Sequence, residues 1–214
     1  MSDIILIYPK TGFDIKNASI EIPVSMLSLA SVLVDDYDVE IIDQRIEDDW
    51  EKKLEHELSN GTLAVAMSAM IGTQIKNALS ISKRAKESGC KTVWGGPHAT
   101  ILPYQTVQHP LVDYVIVGDG EFTLKLFLDK LSKGEDLKEV PNLVYKGKES
   151  PAAKSKAPMV EPQDIPELPY DLVNVEKYVK NGGMAFSKKE RMLPFISSRG
   201  CPYNCSFCYN EQIK

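Results

Sequence analysis

Three of the four cysteines in this 214-residue chain fall within eight residues: Cys201, Cys205 and Cys208 of Arg199-Gly200-Cys201-Pro202-Tyr203-Asn204-Cys205-Ser206-Phe207-Cys208. Thiolates spaced C-x3-C-x2-C on a short irregular loop can converge on one soft metal centre. A four-cysteine [4Fe-4S] carrier or a four-ligand zinc site is coordinatively closed, whereas three thiolates on such a cluster leave one iron open to an exogenous ligand. An open iron is a place for chemistry. The blander readings of the same residues are a zinc site completed by a ligand from elsewhere, or three thiols without a metal. Cys90 stands apart beside Gly89 at a helix-to-strand turn and reads as a structural thiol.

The elements that must position this loop follow from the hydrophobic pattern. Continuous apolar runs at Ile4 to Tyr8, Val39 to Ile42, Leu63 to Ser68, Lys91 to Trp94 and Asp113 to Val117 predict five strands buried on both faces. Between them lie helical patterns: Pro23 to Leu33, then Trp50, Leu54 and Leu58, then Ile75 to Ala85 stopping at Ser88-Gly89, and after the fifth strand Phe122 to Leu131. Strand and helix alternate throughout. The expected fold is α/β, a doubly wound five-stranded parallel sheet of flavodoxin-like order 2-1-3-4-5. Ligands of such sheets lie beyond the carboxyl ends of the strands, which is where Gly95, Gly96, Gly118 and Gly120 fall.

Beyond Gly134 prolines punctuate the chain and periodicity weakens, with one strand at Asn142 to Tyr145 and a short helix at Val175 to Val179. Met192 to Ser198 reads as a strand feeding the cysteine loop. The expected organisation is a ligand-binding domain over 1–135, a linker over 136–190 and the start of a barrel over 191–214. A net charge of -5 without any basic run argues against a nucleic-acid surface. No apolar run approaches the roughly 18 residues of a membrane span. Clustered thiols suit a reducing compartment, and the expected location is the cytoplasm.

The cysteine loop, with its preceding strand, Gly200 and the aromatic Phe207 before the last cysteine, resembles the loop of radical S-adenosylmethionine enzymes. The resemblance implies that Cys201, Cys205 and Cys208 bind a [4Fe-4S] cluster whose open iron chelates S-adenosylmethionine, and that one-electron cleavage yields a 5'-deoxyadenosyl radical. A reductant protein such as a ferredoxin or flavodoxin would supply the electron. The domain ahead of the loop resembles the cobalamin-binding domain of one large subfamily. Ser68-Ala69-Met70 is similar to its small-residue step beside the nucleotide tail, Gly95-Gly96 to its glycine pair, and Gly118-Asp119-Gly120-Glu121 to the turn after its fifth strand. Pro166 to Tyr178 resembles its linker into the barrel. The implied cofactor contacts are Ser68, Met70, Gly95, Gly96, His98, Gly118, Asp119, Gly120 and Glu121. Helix N-terminal acids favoured by the dipole are an equally good reading of Asp119 and Glu121.

One departure bears on the cofactor. Many cobalamin domains carry Asp-x-His-x-x-Gly after the first strand, its histidine ligating cobalt. Here Pro9 to Asn17 holds no histidine. Cobalamin is therefore expected base-off and without a histidine ligand. Because the chain ends six residues past Cys208, it reads as the N-terminal portion of a longer enzyme, inactive alone, whose small-molecule substrate is met by a barrel. Methyl transfer to an unactivated carbon and ring-forming oxidation both remain open; the anaerobic magnesium-protoporphyrin monomethyl ester cyclase group is one branch it resembles. Two rivals stand beside this reading: a flavodoxin-like sensing or interaction module, and a radical enzyme whose first domain has lost cobalamin.

Overall fold

The computed structural model describes residues 2–14, 20–147, 160–180, 191–203 and 205–208. In it β1 (Ile4–Tyr8), β2 (Val39–Asp43), β3 (Ala64–Ser68), β4 (Lys91–Gly95), β5 (Tyr114–Ile116) and β6 (Leu143–Tyr145) form one sheet of order β2-β1-β3-β4-β5-β6. The expected 2-1-3-4-5 order is present, and its pairs are parallel. The five-stranded expectation is corrected to six. The short strand foreseen after Gly134 pairs antiparallel with β5, so the sheet runs past the boundary placed at 135. A three-residue strand has too few apolar positions to announce its partner; what fixes it is Val115 opposite Val144 and Ile116 opposite Leu143.

The strands alternate their side chains between two helical layers. Ile4, Leu6, Ile41, Ala64, Ala66, Val93 and Ile116 face α1 (Val24–Ser31) and α6 (Glu121–Lys133), with Met26, Leu27, Phe127 and Leu128 filling the layer. Ile5, Ile7, Ile42, Val65, Met67, Trp94 and Val115 face α2 (Trp50–Leu58), α3 (Thr73–Glu87), α4 (Gly96–Ile101) and α5 (Pro103–Gln108). The last two helices occupy the stretch between the fourth and fifth strands, where the sequence predicts no helix. Each opens with proline in its first turn, where the missing N–H costs no intrahelical bond. On the edge strand β2, Lys53 sends its ammonium to the Ile41 carbonyl at 3.3 Å and pairs with Glu40 and Glu47.

The proline-rich segment is anchored by α7 (Val175–Lys180). Its Tyr178 hydroxyl donates to Asp43 Oδ2 at 3.0 Å, at the carboxyl end of β2. Asp43 is fully buried, so it needs a cation. Arg45 provides it, with Nε to Oδ1 at 2.9 Å and Nη2 to Oδ2 at 2.6 Å, while its guanidinium lies 3.9 Å over the Tyr8 ring. Met192 to Ser198, expected to be a strand, carries no strand pairing. A strand exists only through its ladder, and among the described residues none lies alongside this segment.

Candidate functional site

A cavity of about 390 Å³ opens at the carboxyl edge of the sheet, on the side of α1 and α6. It exists because that face of the central strands carries small residues. Ala66 and Val93 line it where the opposite face holds Met67 and Trp94, and Ser25 and Ser28 present small groups from α1. Leu29, Leu124 and Ile116 make the remaining wall apolar.

The floor is built where the strands end. Gly96 has φ +84°, and a Cβ there would stand 2.3 Å from Ser68 Oγ and 3.0 Å from the Ala69 nitrogen. Only glycine lets β4 turn so close to β3. The adjacent turn, Gly118 to Glu121, is set by Gly118 at φ +78°, whose N–H donates to Thr100 Oγ1 at 3.0 Å.

Two carboxylates follow that turn. Glu121 is buried, and its Oε1 accepts from Ser28 Oγ at 2.8 Å and from Arg199 Nη2 at 2.6 Å, while Oε2 has no partner among the described residues. Burial pushes the Glu121 pKa up, but the Arg199 guanidinium outweighs it and, with Ser28, holds the carboxyl below the usual range. Asp119 Oδ2 accepts the Val160 N–H at 2.8 Å and pairs with Arg199 Nη1 at 3.3 Å. The turn therefore joins α1, the proline-rich segment and the residues just before the cysteines.

Of the cofactor contacts inferred from sequence, Ser68, Gly95, Gly96, Gly118, Asp119, Gly120 and Glu121 line this one cavity, and Cys201 reaches its mouth. Met70 and His98 do not line it. Met70 is 48% exposed beyond the end of β3, its N–H held by Gln74 Oε1 at 2.7 Å. His98 turns into α4, where its N–H donates to the Ala69 carbonyl at 3.0 Å. Its Nδ1 is buried without a partner among the described residues, and burial lowers its pKa. Cys90 is buried against the Thr62 carbonyl, and burial pushes its thiol up to about 11, as suits a structural position.

The cysteine loop is less assembled. Cys201 and Cys208 are half-buried, Cys205 is exposed, and the Cys208 N–H closes a turn onto the Cys205 carbonyl at 2.9 Å. Among the described residues no three His, Cys, Asp or Glu side chains are arranged to hold a metal ion. Sequence reasoning missed Ser28, Leu124, Ile196 and Arg199. Only the alternation of small residues in Ala64-Val65-Ala66-Met67-Ser68 hinted at a thinned layer beneath α1.

Residues 13–128 match the B12 binding domain family. An uncharacterized methyltransferase of Pyrococcus horikoshii is 32% identical over 216 residues, covering 96% of this chain and 44% of that protein. The anaerobic magnesium-protoporphyrin IX monomethyl ester cyclase of Synechocystis is 29% identical over 117 residues, covering 54% of this chain and 22% of the cyclase. The chain thus spans less than half the length of either relative. Among solved structures, the radical S-adenosylmethionine methyltransferase TsrM of Kitasatospora setae, with cobalamin and a [4Fe-4S] cluster bound, superposes with TM-score 0.60 at 20% identity. That match covers 69% of this chain and 28% of TsrM, and shows a shared fold. No helix among the described residues is long and apolar enough to cross a membrane.

Proposed function

This chain belongs to the B12-binding domain family, and on that premise we propose that its cavity takes the nucleotide tail of cobalamin as part of a radical S-adenosylmethionine methyltransferase. The observation that carries this reading is the cavity itself: small residues at the ends of β3, β4 and β5, under an apolar wall from α1 and α6. A flat aromatic base with a ribose and phosphate fits such a slot. The ring packs on Leu29 and Leu124, and the polar groups meet Ser68, Ser28 and backbone N–H groups of the glycine turns. A side chain at Gly96 would collide with Ser68 and Ala69 and displace Ser68 from the floor of the cavity.

No histidine lines the cavity, and the described part of the loop after β1 has none. The cofactor is therefore bound base-off with no histidine on cobalt. Cobalamin, when bound, supplies a methyl carrier, and the chain's own residues bind its tail, orient it and exclude water from the slot. For the cluster the donor chemistry fits and the arrangement does not: three thiols lie in sequence reach, but their side chains do not converge. Cys201, Cys205 and Cys208 are proposed as its ligands once iron and sulfide draw them together, since metal binding and local folding are coupled. S-adenosylmethionine, a small-molecule substrate and a ferredoxin- or flavodoxin-type reductant belong to the same proposal, in the cytoplasm. Residues 1–214 alone are expected to be inactive. Methyl transfer is preferred to cyclisation because the methyltransferase relative aligns with nearly the whole chain and the cyclase with about half of it.

Titration of hydroxocobalamin into the 214-residue chain tests the reading. A saturable change in the visible spectrum, insensitive to His98→Gln, is expected. An unchanged spectrum at ligand excess would show that this domain has lost the cofactor.

A further inference from the structure

Arg199 reaches across 78 residues of sequence to Glu121 and 171 to Ser28. Its side chain is only 17% exposed, and Nη2 donates to Glu121 Oε1 at 2.6 Å and to Ser28 Oγ at 3.0 Å while Nη1 lies 3.3 Å from Asp119 Oδ2. Ser28 completes the arrangement by donating its own proton to Glu121. The carboxylate of a nearly buried glutamate is thus satisfied by a residue two positions before Cys201. A second cavity, of about 280 Å³, lies between the proline-rich segment and residues 194–196. Val24, Ser28, Ile196 and Arg199 line both cavities, so Arg199 stands in the partition between them.

We propose that Arg199 is a positioning residue that registers the cysteine segment on the Asp119–Glu121 turn, making residues 196–201 one wall of the cofactor cavity. This rests on the cobalamin reading given above for what fills the cavity, and not for the registration itself. The guanidinium is suited to the task because its planar fork meets two carboxylates and a hydroxyl from fixed directions, which an isolated point charge cannot do equally well. Without it, a buried carboxylate is left with a hydroxyl for company, and the segment it held becomes free to leave the sheet edge.

The test uses the 214-residue chain and two readouts. The rate at which a maleimide modifies half-buried Cys201 in ligand-free protein, mapped by mass spectrometry, is expected to rise by about tenfold in Arg199→Gln and in Glu121→Gln, the loss of a charge-assisted contact discounted for partial exposure. Arg199→Lys, which keeps the charge but not the fork, should restore only part of the shielding. Hydrogen exchange of β1 and β3 in Arg199→Gln and Glu121→Gln, at the wild-type rate, separates loss of registration from loss of folding. Hydroxocobalamin should also dissociate about tenfold faster from Arg199→Gln than from wild type. Unchanged Cys201 modification in both Arg199→Gln and Glu121→Gln would overturn the proposal. If wild type takes no hydroxocobalamin but the modification result holds, the registration stands and the cobalamin reading fails. If Cys201 of wild type and Arg199→Gln is modified at different rates yet both release hydroxocobalamin at the same rate, the segment is registered but is not a wall of the cavity, and that half is overturned.

Discussion

On one face of β3 and β4 the chain places Met67 and Trp94; on the other, from the neighbouring positions, Ala66 and Val93. The first pair is buried under α3, with the Trp94 indole N–H donating to Ser82 Oγ at 2.9 Å on that helix. The second pair leaves the layer beneath α1 and α6 thin at its carboxyl end, and the cavity is what remains. Strand periodicity of two makes this possible, because one strand can be large on one side and small on the other without any change of backbone. A packed layer and an open cavity are thus assigned to alternate residues of the same segment.

The largest effect should come from the packed side. Trp94→Ala removes a side chain that is 1% exposed and leaves Ser82 without its donor; a loss of about 3–5 kcal/mol is expected in urea unfolding. Ala66→Leu probes the other side. Added methyl groups have room to enter the cavity, so stability should move by less than about 1 kcal/mol while hydroxocobalamin affinity falls roughly tenfold to a hundredfold. Equal stability losses at the two positions would erase the distinction between the faces.

The smallest effect is a dependence on acid, and it concerns the packed side. Burial raises the pKa of Asp113, but Lys86 at 2.6 Å and the Thr92 backbone and hydroxyl outweigh it and leave the group below the usual aspartate value of 3.8. Its folded pKa is lower than its unfolded one. The stabilisation is therefore fully present above the unfolded value and is lost as pH falls through the folded value. Thermal unfolding midpoints should be flat between about pH 7 and 5 and fall below about pH 4, with a shallower fall in Asp113→Asn.

The five parallel strands were legible because buried strands must be apolar on both sides, and a run such as Ile4-Ile5-Leu6-Ile7 is short, rich in β-branched residues and closed by Pro9, which favours a strand over a buried helix. Helices α4 and α5 were not. At six residues each they are too short for periodicity, and Pro97 and Pro103, which start them, look like breakers. The site was half legible for a related reason. Gly96 and Gly118 betray themselves as turns that need a positive φ, whereas Ser28 and Arg199 acquire meaning only from partners far along the chain. Met70 and His98, close in sequence to lining residues, lie outside the cavity: Met70 is exposed two residues past Ser68, and His98 is carried into α4 with its N–H on the Ala69 carbonyl.

The two borders of the sheet have a consequence for how the molecule behaves among copies of itself. On β2 the ammonium of Lys53 sits on the Ile41 carbonyl, a group that an incoming strand would have to claim, and a charge would have to be dislodged to claim it. At the opposite border β6 offers three residues running against the grain of its neighbours. Strand-by-strand growth of the sheet is discouraged at both ends, which keeps a domain whose central strands are almost wholly apolar from templating its own aggregation.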